Sequence, residues 1–287
     1  MSLLQLENFF LLKNQKNNKT MSQKIDASLF RRILKKYEWD SKYTKLNKEE
    51  SSLLLYKDIQ IKHFINKIFE DNGLLIMTCK LEYSVSRVII KISFVNHDIN
   101  AQKLFIKDIV NNNIVVIIKK YFGEINLIIK INDLTKSFEN SIVRSKSNRA
   151  EHKKIMSQLK IFRNFPKQLD IIKISFIIIS NKKSAKLLAK FLSYLISNQK
   201  RRHSNILSLF KKILDILVKT KISKISGLRI LISGRINGFP RAKKRLLKIG
   251  SLPLQSFDAS IDYYKETAYT SNGTFGIKVW VCGKIFK

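Results

Sequence analysis

Glycine is nearly missing from most of this 287-residue chain: before Gly227 it occurs only at Gly73 and Gly123. That scarcity leaves no room for a phosphate-cradling P-loop, a dinucleotide fingerprint or a nucleophile elbow, all of which need closely spaced glycines. The two cysteines, Cys79 and Cys282, stand far apart and belong to no motif, so the chain carries neither a disulfide framework nor a zinc site. His63, His97, His152 and His203 are isolated and have no ligand spacing. Long apolar runs are missing too. The most apolar stretch, residues 171–180, is about half the length of a membrane-spanning helix and contains Lys173. A helix lying on a membrane would concentrate cations on one face, whereas here the charge is spread along the chain. No secretory signal is visible, and the N-terminal MSLLQLENFFLLKNQ lacks Arg and contains Glu7, which makes a poor transit peptide.

Negative charge is the other shortage. Asp and Glu number 21 against 55 Lys and Arg, a formal net charge of +34. With 45% hydrophobic residues the chain can still bury a core, and its length suggests two domains. A folded chain with that excess calls for a polyanion, and nucleic acid fits better than a membrane surface. Ile, Lys, Asn and Phe are abundant, and their codons are AT-rich. Together with the poor transit peptide, this points to a gene carried inside an organelle, the mitochondrion first and the plastid second.

Glycine and proline collect in residues 227–280. Two β-type runs, 228–233 and 276–281, flank a basic segment expected to be a loop. Gly234 and Gly238 let its backbone bend and approach phosphate closely. Arg235, Arg241, Lys243, Lys244, Arg245 and Lys248 can then face several phosphates, with arginine offering a planar fork. Asp258 and Asp262 are spaced to share one face of a strand. A buried hydrogen bond or a basic partner explains Asp262 better than acid–base catalysis does. Trp280, alternating with Ile277, Val279 and Val281, is expected to pack under a sheet rather than stack on a base.

Ser233, Gly234, Arg235, Gly238, Gly250, Pro253, Leu254, Ile261, Asp262, Tyr263, Thr270, Gly273 and the run Gly276-Ile277-Lys278-Val279-Trp280 keep their spacings without a gap. In this pattern the segment resembles the C-terminal domain of the small-subunit ribosomal protein S3 family. Asn237, Pro240 and Arg241 depart from the residues usual in bacterial members. The resemblance implies an α/β (α+β) protein: a divergent type II KH-like domain, then a C-terminal domain of helices on a mixed or antiparallel sheet. It implies binding to small-subunit ribosomal RNA in the head, with Arg235, Asn237, Arg241, Lys243, Lys244, Arg245 and Lys248 as candidates. Near the N-terminus, MSQKIDASLFRR resembles the family's start and adds Lys24, Arg31 and Arg32. The family's message-entry cations fall on Lys211-Lys212 after Phe210, with Arg201-Arg202 as the alternative placement. The third basic position falls at or near the acidic Asp215. The equal reading of Lys211 and Lys212 is an exposed helix face pairing with Asp215. Implied partners are messenger RNA and ribosomal proteins ten and fourteen, with two, four and five as further candidates. No membrane, catalytic residue, metal ligand or cofactor is implied beyond RNA-associated magnesium.

Along the chain, residues 1–20 read as an extension and 21–97 as an N-terminal segment and the start of the KH-like domain. Within it, Ile61, Phe64, Ile65 and Ile68 predict a helix over 56–72 that stops at Asn72-Gly73, followed by strands over 74–83 and 86–95. The GxxG loop that clamps RNA in KH domains is missing. The one GxxG, at 273–276, reads as a strand-connecting turn. Residues 98–168 read as an Asn/Lys/Ile-rich insertion, 169–182 as the last KH strand, and 183–287 as the C-terminal domain, opening with helices over 183–197 and 204–219. The reading is a structural ribosomal protein and not an enzyme. The alternatives are an organelle-encoded maturase or nuclease, for which acidic metal ligands and a LAGLIDADG signature are lacking, and a free RNA chaperone.

Overall fold

The computed structural model describes residues 26, 28, 39–44, 48–84, 87–96, 115, 118–119, 126–136, 153, 155, 157–158, 168–181, 184–198, 203–220 and 223–284. The first sheet follows the chain as β1 (Ser41–Lys42), helix α1 (Lys48–Asp71), β2 (Leu74–Tyr83), β3 (Arg87–Asn96) and β4 (Asn126–Asp133). Its strand order is β1-β2-β3-β4. The β2/β3 pair is antiparallel, while β1 and β4 join their neighbours in parallel. The apolar spacing of α1 puts Ile61, Ile65 and Phe69 in a core with Ile76, Leu81, Val88, Ile90, Ile92 and Phe94. The helix ends where expected, with the Gly73 N–H donating to the Glu70 carbonyl at 3.0 Å. It begins at Lys48 rather than at residue 56. Its first turn carries Glu49 and Glu50, which suit the positive end of a helix and lie outside the apolar period. The stretch read as an insertion, 98–168, supplies β4, whose Leu127, Ile129 and Ile131 pack on the same core. Cys79 is buried there, and burial pushes its thiol up to about 11.

The second unit is α2 (Gln168–Ser180), α3 (Ala185–Ser197), α4 (His203–Val218), β5 (Ile225–Gly234), β6 (Lys243–Gly250), β7 (Ile261–Thr270) and β8 (Gly273–Gly283). The four strands form an antiparallel sheet in the order β6-β5-β8-β7. This α+β arrangement is the one expected, but where the last KH strand was expected over 169–182, Gln168–Ser180 form helix α2. The run Ile171, Ile172, Ile174, Phe176, Ile177, Ile178 and Ile179 is buried almost throughout. A continuous apolar run has no period to tell strand from buried helix, and the β-branched isoleucines favour the wrong choice. Packing against α3 and α4 decides it. Helices α3 and α4 keep the expected bounds within two residues and turn Leu188, Phe191, Leu192, Phe210, Ile213 and Leu214 inward. They cover Leu228, Ile230, Ile232, Ile277, Val279 and Val281 of the sheet. No described helix is long and apolar enough to cross a membrane.

Helix α3 joins the two units. It packs on β7 and β8 and also meets β2, whose Leu75 and Met77 enter the helical core with Val95 of β3. Lys190 of α3 reaches Glu70 of α1 at 2.6 Å. The helix starts against the sheet: the Ala185 N–H donates to Asp262 Oδ2 at 2.9 Å, so the carboxylate sits at the positive helix end.

The register of β5 and β6 is locked where Gly227 faces Gly250. A Cβ at Gly227 would lie 2.2 Å from the Ser251 oxygen. At Gly250, whose φ is 66°, it would lie 2.3 Å from the Ser226 oxygen. We expect Gly250→Ala to destabilise the protein by about 3 kcal/mol through clash and left-handed strain together. Urea unfolding should show a lower midpoint at unchanged slope, and an unchanged midpoint would show that the crossing is not tight.

Candidate nucleic-acid interface

The basic segment begins as a loop and ends as a strand. After β5, Ile236–Gly238 makes one 3-10 turn in which Asn237 and Gly238 have φ of 57° and 77°. Both values are left-handed, which Asn-Gly adopts at low cost. The turn is anchored to the start of α4. Asn237 Oδ1 accepts from the Ser204 N–H at 3.1 Å, its Nδ2 donates to Ser204 Oγ at 2.8 Å, and its N–H donates to His203 Nδ1 at 3.2 Å. His203 is buried beside the Phe275 ring, their centroids 5.1 Å apart, and Ile236 is buried as well. Asn237, a sequence candidate for RNA contact, therefore spends its amide on holding the turn.

From Lys243 onward the segment is β6, an edge strand, so the expected loop over 235–248 is a loop only as far as residue 242. Strand alternation then divides the cations. Lys244 and Lys248 point to the face away from the helices, with Leu246. Lys243 and Arg245 share the parity of the buried Leu247 and Ile249. Arg235, Arg241, Lys243, Lys244 and Lys248 are exposed, and Arg245 is half-buried. Arg235 Nε donates to the Phe239 carbonyl at 3.1 Å, leaving the rest of its fork free to turn outward. Phe239, missed in the sequence, is 49% exposed, and Lys243 Nζ lies 4.5 Å from its ring centroid. An exposed aromatic next to cations is a surface on which a base can stack. Its signal was an aromatic within a run of cations.

Lys211 and Lys212 are exposed on α4, Phe210 before them is fully buried, and Asp215 is half-buried one turn on. Because α4 packs on β6, these lysines stand on the element next to the cationic strand. Lys24, Arg31, Arg32, Arg201 and Arg202 lie outside the described residues.

The outward face of the sheet adds cations that sequence reasoning missed: Arg229 on β5, Lys265 on β7 and Lys278 on β8. Each stands between residues of opposite parity that turn toward the helices, such as Leu228 and Ile230, or Ile277 and Val279. Applying the period of two to every strand, rather than to charge density alone, would have found them. Trp280 lies on this face but is buried, packed with Leu231, Ile261, Ala259 and, through its ring, Tyr263 at 5.2 Å. It serves packing, as expected. Asp262 makes the structural bond to α3. Asp258 sits in the irregular segment before β7, so the two do not share a strand face. The GxxG at 273–276 opens β8 just after the β7–β8 turn.

A cleft of about 1150 Å³ between α1, α3 and β7 has a different character. It is lined by Glu70, Asp71, Glu266, Lys67 and Lys190, with Tyr194, Tyr264 and Tyr269 among its walls. Burial pushes the Glu266 carboxyl up from its ordinary value.

Residues 208–281, from α4 to β8, match the family model described as ribosomal protein S3, C-terminal domain. Small ribosomal subunit protein uS3 from Karelsulcia muelleri is 33% identical over 139 residues, 48% of this chain and 56% of that protein. The uS3 of Bacteroides thetaiotaomicron is 48% identical over 61 residues, 21% of this chain and 25% of the relative. Small ribosomal subunit protein uS3c from Cyanidium caldarium is 44% identical over 59 residues, 21% and 28% of the two chains. The matches thus span about half the length of the first relative and about a quarter of the others. The matched region is the one that builds the second sheet with its anchored basic turn, and over that region the chain is similar to the C-terminal domain of ribosomal protein S3.

Proposed function

We propose that the chain is a structural constituent of the small ribosomal subunit of an organelle, the mitochondrion before the plastid. It binds small-subunit ribosomal RNA in the head through the turn at 235–242 and strand β6. The observation that carries this reading is the coincidence of the family match with a fixed, cation-bearing edge. Family likeness supplies the ribosome, and the geometry supplies exposed Arg235, Arg241, Lys243, Lys244 and Lys248 on a turn already anchored to α4. A preformed turn loses little conformational freedom on binding, so more of the phosphate attraction remains as affinity. The likeness also supports ribosomal proteins ten and fourteen as neighbours.

Lys211 and Lys212 give the reading its second part, a share in the messenger entrance. They stand exposed on a helix whose opposite side is locked into the core, so their charge is displayed from a rigid support. The acidic Asp215 one turn later weakens the local field relative to three cations. The proposed contribution is therefore to hold the message rather than to drive strand separation.

In a magnesium-containing gradient of organelle extract, the native protein should sediment with small-subunit RNA; sedimentation away from it would end the ribosomal reading. Purified mitochondria and plastids assayed side by side decide the compartment, with the protein expected in the mitochondrial subunit. Replacing Arg241, Lys243 and Arg245 by Ala should weaken binding to a small-subunit RNA transcript and lower the slope of log affinity against log salt by about 2. An equal slope would mean that the turn does not meet phosphate. For the message, Lys211→Ala with Lys212→Ala should slow translation of long open messages about as much as structured ones. A loss confined to structured messages would favour an unwinding role instead.

A further inference from the structure

The basic turn sends one apolar side chain inward and another outward. Ile236 is buried in the core that the helices share with the second sheet. Phe239, three residues later, is 49% exposed and belongs to none of the three cores among the described residues. An apolar ring left in water gains little from folding, so packing does not account for a phenylalanine at this place.

Its position is nevertheless closely defined. The Phe239 N–H donates to the Ile236 carbonyl at 3.3 Å, and its own carbonyl accepts from Arg235 Nε at 3.1 Å. Pro240 behind it favours an extended residue, and Phe239 has φ −59° and ψ 146°. The two ends of the segment are clamped together where Gly234 pairs with Lys243. The ring is thus carried outward on a backbone whose amide and carbonyl are both bonded.

Its surroundings are cationic. Lys243 Nζ lies 4.5 Å from the ring centroid, and Arg235 and Arg241, four residues before and two after, are exposed. The sequence has no Asp or Glu between Asp215 and Asp258. The ammonium takes one face of the ring and leaves the other. A Cβ added at Gly238 would meet nothing nearer than Asn272 Nδ2 at 3.8 Å, so the chain next to the ring borders open space.

Cations alone attract any nucleic-acid backbone, duplex or single strand. A flat apolar ring does nothing for a phosphate, and duplex RNA keeps its bases stacked inside, out of the ring's reach. An unpaired nucleotide suits both features, with a base plane for the ring and a phosphate on either side for the cations. We propose that the turn takes an unpaired nucleotide, its base stacked on the open face of Phe239 and its flanking phosphates held by Arg235, Arg241 and Lys243. This rests on the RNA-binding reading above and deepens it: the turn selects looped or bulged RNA over continuous helix.

The test uses the full chain with two probes, a single-stranded oligouridine and a blunt RNA duplex of the same length. Phe239→Leu keeps an apolar side chain and removes the plane. It should bind the single strand about tenfold more weakly with an unchanged salt slope, because stacking releases no counterions. Its binding to the duplex should equal that of the unaltered chain, and Phe239→Tyr should retain the affinity for the single strand. Unchanged affinity of Phe239→Leu for the single strand would overturn the proposal, as would an equal loss on both probes or an equal loss in Phe239→Tyr. In the unaltered protein, ultraviolet cross-linking read by mass spectrometry should place a uridine adduct on Phe239, and adducts confined to other residues would overturn it. The two readings fail separately. If replacing Arg241, Lys243 and Arg245 by Ala lowers the slope while Phe239→Leu binds the single strand like the unaltered chain, only the stacking is lost. If the unaltered chain shows no salt-dependent RNA binding, both fall.

Discussion

Every strand of the second sheet can offer the helices only alternate side chains, and the rest of the structure follows from that limit. The chain must bury a core while carrying far more cations than carboxylates. Period-two alternation does both at once, because each apolar residue sent inward sends its neighbour outward. Leu228, Ile230 and Ile232 pack under α3 and α4, and Arg229 and Ser233 are thereby exported. The same rule applied to β6 buries Leu247 and Ile249 and displays Lys244 and Lys248. Charge on this domain is thus a by-product of packing in its position, though not in its identity. Serine or threonine at the same sites would pack equally well, which is why the choice of cations carries information about what lies opposite.

The helical layer is set by the same sheet. Asp262 points to the packed side of β7 and accepts the Ala185 N–H, which fixes where α3 begins. From there α3 lies across β7 and β8 and reaches β2, so it serves as the shared wall of both cores. Lys190, buried at that junction, reaches the more exposed Glu70 at 2.6 Å. The pair is half in water, which limits its contribution to stability. Its value lies in orienting the two sheets, since an unpartnered buried ammonium would cost far more than the pair returns.

Much of this was legible in the sequence where a period was present. Ile61, Phe64, Ile65 and Ile68 mark α1, Leu187 to Leu195 mark α3, and Ile206 to Leu217 mark α4. The glycines at 227, 250 and 273 mark the turns and crossings of the second sheet. What was not legible lacked a period or depended on partners distant in sequence. Residues 171–179 are apolar on every side and could not announce a helix, because only their burial among α3 and α4 separates the two choices. Strand β4 hid in an Asn- and Lys-rich stretch because the apolar Ile128 among its outward residues blurs the period of two, and its inward ones, Leu127, Ile129 and Ile131, are few. At the interface, charge density located Arg235 to Lys248 but could not assign each side chain to a face. That requires knowing where the loop stops and β6 begins, and the tie of Asn237 to Ser204 was hidden because the two lie 33 residues apart.

The anchoring of the turn links the two candidate RNA elements mechanically. Asn237 ties the turn to Ser204 at the start of α4, and Lys211 and Lys212 stand further along that same helix. His203, held between the turn's backbone and the Phe275 ring, closes the connection to β8. A displacement of the turn therefore cannot be absorbed locally: it must move the first residues of α4 or break three part-buried hydrogen bonds together. The helix resists in turn, because Phe210, Ile213 and Leu214 are fully buried. The turn, β6 and the lysines of α4 consequently act as one rigid cationic body, and a rigid body gains from several phosphate contacts together what separate flexible lysines would lose in ordering.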